Sequence, residues 1–72
     1  MEEVSILLGG LVRKYKAILW QKRVVLETPG GRVGFPRWAL IPEGEGSYYR
    51  LHRLYQLTPE QRQRLESACV EL

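Results

Sequence analysis

The chain of 72 residues contains no aspartate and no asparagine, and it has one cysteine and one histidine. A single cysteine, Cys69, excludes an internal disulfide, and Cys69 with His52 falls short of the roughly four ligands that a structural zinc ion takes. No aspartate exists to orient His52 as in a catalytic triad. Cys69 lies near the end of a predicted helix, where the helix dipole disfavours a thiolate. We therefore expect a protein that is not an enzyme and uses no metal or cofactor.

Long apolar runs are also missing, and the first residues are not typical of a secretion signal. No stretch approaches the roughly 18 apolar residues of a membrane span. The chain starts Met-Glu-Glu, with acid where a signal peptide carries lysine or arginine. One thiol without a disulfide partner fits a reducing compartment. These features predict a cytoplasmic protein without a membrane partner, and the scarcity of thermolabile residues weakly indicates a thermophilic source.

Positive charge is unevenly distributed along the chain. Lysine and arginine number 11 against 8 acids, which gives a formal net charge of +3. Residues 13–23 hold five cations and no acid: Arg13, Lys14, Lys16, Lys22 and Arg23. The segment from Pro59 onward has two cations and three acids, a charge of −1, so the residues before it carry +4. A basic body of this kind indicates a polyanionic partner, although lysine and arginine also serve solubility alone.

Short apolar runs separated by turn residues predict a mainly β structure. Val4–Leu8 and Leu11–Trp20 flank Gly9-Gly10, and two glycines between apolar runs are typical of a hairpin. A helix through Tyr15 also fits the apolar spacing, but two glycines inside a helix would cost about 2 kcal/mol. The hairpin is therefore the favoured interpretation.

Three further strand segments follow. Val24–Thr28 is short, apolar and β-branched, and the Pro-Gly-Gly sequence after it is a strong turn signal. Arg32–Ile41 contains Pro36, which cannot donate a hydrogen bond in a central strand, so this segment is either an edge strand or bends at Gly34–Pro36 and pairs only from Arg37 on. Ser47–Leu57 is the longest strand candidate.

The clearest local signal is the start of a C-terminal helix. Thr58 is the predicted N-cap, Pro59 the first helical residue, and Gln61 closes a capping box. The apolar stripe of this helix comprises Leu65, Ala68, Cys69 and Leu72. The order of elements predicts one α+β domain, mainly β, over residues 1–72. We expect a small antiparallel sheet or SH3-like barrel with strands over about 4–57 and one C-terminal helix over about 59–71.

Basic and aromatic side chains share faces of the predicted strands. In the predicted last strand Tyr48, Arg50 and His52 lie on one face. The opposite face carries Tyr49, Leu51, Tyr55 and Leu57. If Lys14 and Lys16 project from the same sheet face as Arg50, a basic platform with aromatic rings results.

The second strand alternates as well. Its expected core side holds Leu11, Tyr15, Ala17 and Leu19. Trp20 follows on the other side, where it is either a stacking platform or a packing residue under a loop. The usual burial of aromatic residues favours packing.

Two stretches carry a resemblance to a known family. Residues 28–32 read TPGGR, and residues 36–44 read PRWALIPEG. Together with a gap they cover about a quarter of the chain. They resemble the small chromatin proteins of crenarchaea, which are SH3-like barrels that sit in the DNA minor groove and share the pattern Thr-Pro-x-Gly-Lys followed by Trp-Ala-Leu-x-Pro-x-Gly. The resemblance implies that Trp38 contacts DNA, that Leu40 is an intercalating wedge and that Pro42 shapes the loop.

The sequence departs from this family in three places. The loop after Pro42 is basic in the family, whereas here it contains Glu43 and Glu45, which would repel phosphate. The chain also has an extra N-terminal segment, and it ends in a predicted helix where the family has its last strand.

The sequence as a whole predicts a small basic nucleic-acid-binding protein, with DNA as the expected partner and with little sequence dependence. The expected phosphate contacts are Arg13, Lys14, Lys16, Arg37, Arg50 and Arg53. The expected base or sugar contacts are Trp38, Leu40, Tyr48 and Tyr49. The alternative is a protein-interaction module, a homodimer or accessory subunit whose exposed strand pairs with a partner. With DNA as partner, the protein would be associated with the nucleoid.

Overall fold

The computed structural model describes residues 1–68, in which six strands, one 3₁₀ turn and one α-helix occur. The strands are β1 (Glu2–Leu8), β2 (Leu11–Leu19), β3 (Arg23–Thr28), β4 (Gly31–Pro36), β5 (Leu40–Pro42) and β6 (Tyr48–Leu51). The 3₁₀ turn is Arg37–Ala39, and the helix α1 is Pro59–Glu66. This order confirms the predicted α+β fold, mainly β, with one C-terminal helix. The helix ends at Glu66 with Ser67 as its C-cap, and the Ser67 hydroxyl donates to the Arg64 carbonyl at 2.6 Å, so the prediction of a helix that continues to about Glu71 is wrong at residues 67 and 68. Cys69 and Leu72 of the predicted stripe lie outside the described residues.

The first two strands form the predicted hairpin, in which Leu8 lies opposite Leu11. Between them, Gly9 and Gly10 have φ angles of 59° and 79°. A two-residue turn between twisted strands needs this left-handed pair, which glycine adopts without strain. The alternative of an N-terminal helix is therefore wrong.

The six strands form one sheet in the order β4-β3-β2-β1-β6-β5. Strands β1 and β6 run parallel, so the sheet is mixed rather than wholly antiparallel. The outermost strands, β4 and β5, are consecutive in the chain with only the 3₁₀ turn between them. The two edges of the sheet must therefore approach each other, and the sheet curls into a half-barrel.

Alternation along the strands places one sheet face inside the half-barrel. The buried hydrophobic residues are Val4, Ile6, Leu8, Tyr15, Ala17, Val24, Leu26, Val33, Phe35, Ala39, Leu40, Leu65 and Ala68. The core side predicted for the second strand is confirmed at Tyr15 and Ala17, whereas Leu11, at the hairpin turn, is exposed. Pro36 is accommodated because β4 is an edge strand and the proline is its last residue.

The long strand predicted over Ser47–Leu57 is wrong beyond Leu51. The strand β6 ends there, and residues 52–55 form a turn in which the Tyr55 N–H donates to the His52 carbonyl at 3.0 Å. The Leu54 N–H also donates to His52 Nδ1 at 3.1 Å. The turn satisfies backbone groups that a continued strand would have paired. Tyr55 and Leu57 still pack against the core. This agrees with their predicted place on the strand face opposite Tyr48 and Arg50.

The helix begins as predicted. The Gln61 N–H donates to Thr58 Oγ1 at 3.1 Å, and the Thr58 N–H donates to Gln61 Oε1 at 3.0 Å, which completes the capping box. At its far end the Tyr15 hydroxyl donates to the Leu65 carbonyl at 2.7 Å. Burial raises the pKa of this Tyr15 hydroxyl to about 12. The helix is thus linked to the sheet interior by a Tyr15 hydroxyl that stays protonated and can act as the donor.

Side chains of α1 also cover the edge of β4. Arg64 donates from Nη1 to the Arg32 carbonyl at 2.9 Å, and Gln61 donates from Nε2 to the Gly34 carbonyl at 3.3 Å. Two acceptors that an added strand would need are therefore occupied. In residues 1–68 no helix is long and apolar enough to cross a membrane.

Candidate nucleic-acid interface

The outer face of the sheet gathers several of the predicted contact residues. Ser5 lies opposite Lys14 on one side and Tyr48 on the other, and the next outward residue of β1, Leu7, lies opposite Arg50. Lys14, Tyr48 and Arg50 therefore project from the same face, which is the condition that a basic platform with aromatic rings requires. We call this surface the outer face; its cations are Lys14, Lys16, Arg32 and Arg50.

Acidic side chains accompany nearly every cation of the outer face. Lys16 lies in register between Glu3 on β1 and Glu27 on β3. Arg32 pairs with Glu27 at 3.4 Å. Arg50 pairs with Glu43, from the loop between β5 and β6, at 3.1 Å. With Glu45 in the same loop, four acids offset four cations, so the outer face offers little net attraction to a polyanion.

Two predicted contact residues are buried, which corrects their assignment. Arg13 is 8% exposed, and its Nε donates to the Ala68 carbonyl at 3.3 Å. Leu40 is 4% exposed and lies opposite Leu51 in the core-facing register of β5 and β6. Arg13 is therefore a structural link between sheet and helix, and Leu40 has no surface with which to enter a base step. Tyr49 packs against the same core, and Tyr48 is half-buried on the outer face.

The exposed aromatic groups lie elsewhere, where the loop between β2 and β3 meets the 3₁₀ turn. Trp20 is 57% exposed and Trp38 is 53% exposed. The exposure of Trp20 contradicts the expectation that it packs under a loop. We call this surface the tryptophan end; it comprises Trp20, Lys22, Arg23, Arg37, Trp38 and Arg53.

Arg37 joins the two segments that carry the tryptophans. Its Nη1 donates to the Trp20 carbonyl at 2.8 Å, and its N–H donates to the Lys22 carbonyl at 2.9 Å. The first hydrogen bond fixes the Arg37 guanidinium to the loop between β2 and β3. The second fixes the backbone of the 3₁₀ turn to the same loop. A guanidinium has five N–H donors, and further donors remain for an anion.

Trp38 is supported from the core outward. Its ring meets His52 at 5.4 Å and Tyr55 at 5.6 Å between centroids, both edge-on. Tyr55 in turn contacts the buried Phe35 at 5.6 Å. Gln61 Nε2 donates to the Tyr55 hydroxyl at 3.0 Å, which links this stack to the helix cap. The exposed indole therefore has a defined position in spite of its exposure.

The electrostatics of the tryptophan end differ from those of the outer face. Segments 20–23, 36–39 and 51–54 contain four cations and no acid. Among residues 1–68, no ion pair involves Lys22, Arg23, Arg37 or Arg53. Arg23 projects from the outer face of β3, with its guanidinium over Gly34 on the neighbouring strand, and therefore lies at the boundary between the outer face and the tryptophan end. Cations without an acidic partner among residues 1–68 thus lie in the same three segments as, or directly beside, two exposed indoles.

Sequence reasoning assigned Arg37, Trp38 and Arg53 as contacts, and all three lie at this end. It omitted Trp20, Lys22 and Arg23 from the contact residues. The available signal was the sequence Trp-Gln-Lys-Arg at the joint between two strands, since a tryptophan within a loop has fewer neighbours to bury it than one inside a strand.

Comparisons of the chain with family models, with curated proteins and with solved structures found no match. The resemblance to crenarchaeal chromatin proteins implied a DNA contact for Trp38 and a wedge role for Leu40. Trp38 is exposed as that resemblance implies, whereas the burial of Leu40 removes the implied wedge.

Proposed function

We propose that this protein binds nucleic acid through the tryptophan end, with little dependence on base sequence. The observation that carries the proposal is the coincidence of two exposed indoles with cations that have no acidic neighbour in their own segments. Cations neutralise phosphates and release counterions, while aromatic rings contact bases or sugars. Such a protein acts in the cytoplasm, and at the nucleoid if its partner is DNA.

Salt dependence tests this proposal directly. With three or four phosphate contacts, the slope of log affinity against log salt is expected between about −2 and −4. The measurement is fluorescence anisotropy of a labelled oligonucleotide at several salt concentrations. A slope near zero, or no binding at low salt, would contradict the proposal.

A pair of double variants with equal charge loss locates the surface. Lys22→Ala/Arg53→Ala removes two cations from the tryptophan end, and Lys16→Ala/Arg32→Ala removes two from the outer face. We expect the first to weaken binding by about 10-fold or more and to reduce the salt slope by about 1.4–1.8. The second is expected to change affinity less than about 3-fold, because its cations are already offset by acids. Equal losses in both would assign the binding to net charge alone.

A protein-interaction role is the second candidate, and one observation favours it. Leu54 is 71% exposed beside Arg53, which adds an apolar side chain next to the two indoles, and aromatic and arginine residues are also frequent in protein interfaces. Strand addition at β4 is disfavoured by the helix side chains on its edge. Dimerisation that is insensitive to salt, measured by sedimentation together with no retention on heparin, would favour this role over the first.

A further inference from the structure

We infer that the ligand of the tryptophan end is single-stranded nucleic acid, with unpaired bases stacked on Trp20 and Trp38. This inference rests on the proposed function and deepens it, since nucleic-acid binding by itself would equally allow a duplex.

Neither of the two exposed indoles is stacked on another aromatic ring of residues 1–68. Both neighbours of Trp38 meet it at steep interplanar angles, 80° for His52 and 75° for Tyr55, and neither stacks parallel to it. Within residues 1–68, Trp20 contacts no other aromatic ring. Each indole therefore lacks a stacked partner while more than half of its residue surface is exposed. A free base, which has a flat π-face of its own, is the chemical group that fits such a ring.

A nucleic-acid duplex does not present free base faces to the two indoles. In a duplex the base faces are already stacked on each other, and proteins reach them only by inserting an apolar wedge into a base step. The wedge implied by the family resemblance, Leu40, is buried. Among the exposed aliphatic side chains of residues 1–68, Leu54 is the one that neighbours Arg53, so duplex insertion at this end would depend on Leu54.

The positively charged surface around the indoles is small. The molecule measures about 25 Å in every direction, and the uncompensated cations occupy one end of it. A groove of a duplex presents two phosphate backbones, and contact with both needs a basic surface that continues beyond the rings. Here the adjoining outer face has four acids among its four cations. One strand of a few nucleotides matches the small basic surface better than two strands do.

The experiment compares a single strand of about 12 nucleotides with a hairpin duplex that contains the same sequence, each prepared as DNA and as RNA. Binding is followed by anisotropy and by intrinsic tryptophan fluorescence. We expect the single strand to bind about 10-fold or more tightly than the duplex, with quenching of the indole emission as bases stack. The DNA and RNA arms identify which of the two backbones is preferred.

Substitutions at Trp20 separate stacking from simple apolar contact. Trp20→Leu keeps an apolar side chain but removes the ring, and it is expected to weaken single-strand binding by about 10-fold. Trp20→Phe keeps a ring and is expected to lose about 3-fold or less. Because Trp20 is exposed on a loop, both variants are expected to keep the thermal stability of the parent protein, and this is measured alongside. Leu54→Ala is expected to leave single-strand binding unchanged.

The outcomes divide clearly. A single-strand preference that Trp20→Leu abolishes supports the inference. Duplex binding as tight as or tighter than that of the single strand, unaffected by Trp20→Leu or weakened by Leu54→Ala, overturns the inference and leaves the proposed function intact. Absence of binding to all four nucleic acids overturns both.

Discussion

The outer face and the tryptophan end each carry four cations, yet they differ in what a polyanion would meet. On the outer face, strand register places Lys16 between two glutamates, and two arginines form ion pairs at 3.1 and 3.4 Å. At the tryptophan end Lys22, Arg37 and Arg53 belong to loops and turns and Arg23 is the first residue of β3, and segments 20–23, 36–39 and 51–54 contain no acid. The comparison shows that two surfaces with similar numbers of cations differ in net charge, because the fold decides which acids lie beside those cations.

The largest expected effect comes from making the tryptophan end resemble the outer face. Lys22→Glu/Arg53→Glu introduces two acids there and should weaken oligonucleotide binding by at least about 100-fold, because two charge-assisted contacts of roughly 1.5–3 kcal/mol each become repulsions. Anisotropy at low salt measures the loss. Lys16→Glu/Arg32→Glu is the matched control with the same change of net charge. If the control loses as much affinity, the distinction between the two surfaces fails.

The second prediction concerns the stability of the whole fold at alkaline pH, since unfolding would remove the outer face and the tryptophan end together. The pKa of Tyr15 is raised to about 12 from its ordinary value of 10.0 because the hydroxyl is buried. The folded protein therefore keeps a proton that the unfolded chain releases, so this contribution is complete below pH 10 and is lost as the pH rises from 10 to 12. The loss amounts to roughly 3 kcal/mol of unfolding free energy.

Denaturant unfolding at pH 9, 10, 11 and 12 measures this loss. Tyr15→Phe is the control; it lacks the hydroxyl bond to Leu65, should be about 1 kcal/mol less stable at pH 7, and should lose less stability than the parent above pH 10. An alkaline slope that is unchanged in Tyr15→Phe would mean that other groups cause the destabilisation.

Arg37 offers a sharper and smaller test, because it combines charge with a structural bond. Arg37→Gln removes the charge but can still donate to the Trp20 carbonyl, and Arg37→Lys keeps the charge without the planar guanidinium. We expect about 10-fold weaker oligonucleotide binding for Arg37→Gln and about 3-fold for Arg37→Lys, with anisotropy as the measurement. The reverse order would show that Arg37 acts by holding the loop rather than by contacting phosphate.

The smallest expected effect comes from changing the outer face toward the tryptophan end. Glu27→Gln/Glu43→Gln removes the partners of Arg32 and Arg50 and gives this face a net positive charge. We expect affinity to rise by about 2- to 3-fold at low salt and to return to the parent value at high salt. The stability should change by less than about 1 kcal/mol per pair, since both ion pairs are exposed. A rise that persists at high salt would argue against a purely electrostatic effect.

Local chemistry in the sequence was enough to locate several elements. Two glycines between apolar runs predicted the first hairpin, and Thr58, Pro59 and Gln61 predicted the helix start with its capping box. The last strand was predicted too long because apolar spacing continued past its end. A hydrogen bond from the Leu54 N–H to the His52 ring stabilises a turn there, and strand periodicity carries no sign of it.

The candidate site was only partly predictable for a related reason. Of the predicted contacts, Trp38 and Arg53 are exposed and Arg37 is half-buried, but Arg13 and Leu40 are buried, and Trp20, which was expected to pack, is exposed. Alternation along one strand tells which residues share a side, but it does not tell how the ends of the sheet meet. The position of each side chain at those ends depends on contacts between segments far apart in the chain.

The sequence by itself determined the class of fold, the first turn and the helix cap, because each depends on residues within a few positions of one another. The tertiary structure alone decided which cations remain without acidic partners and which tryptophans stay exposed. It did so because the parallel pairing of β1 with β6 and the short link from β4 to β5 bring distant segments together. Ion pairing and burial depend on contacts between these distant segments, and no local sequence pattern specifies those contacts.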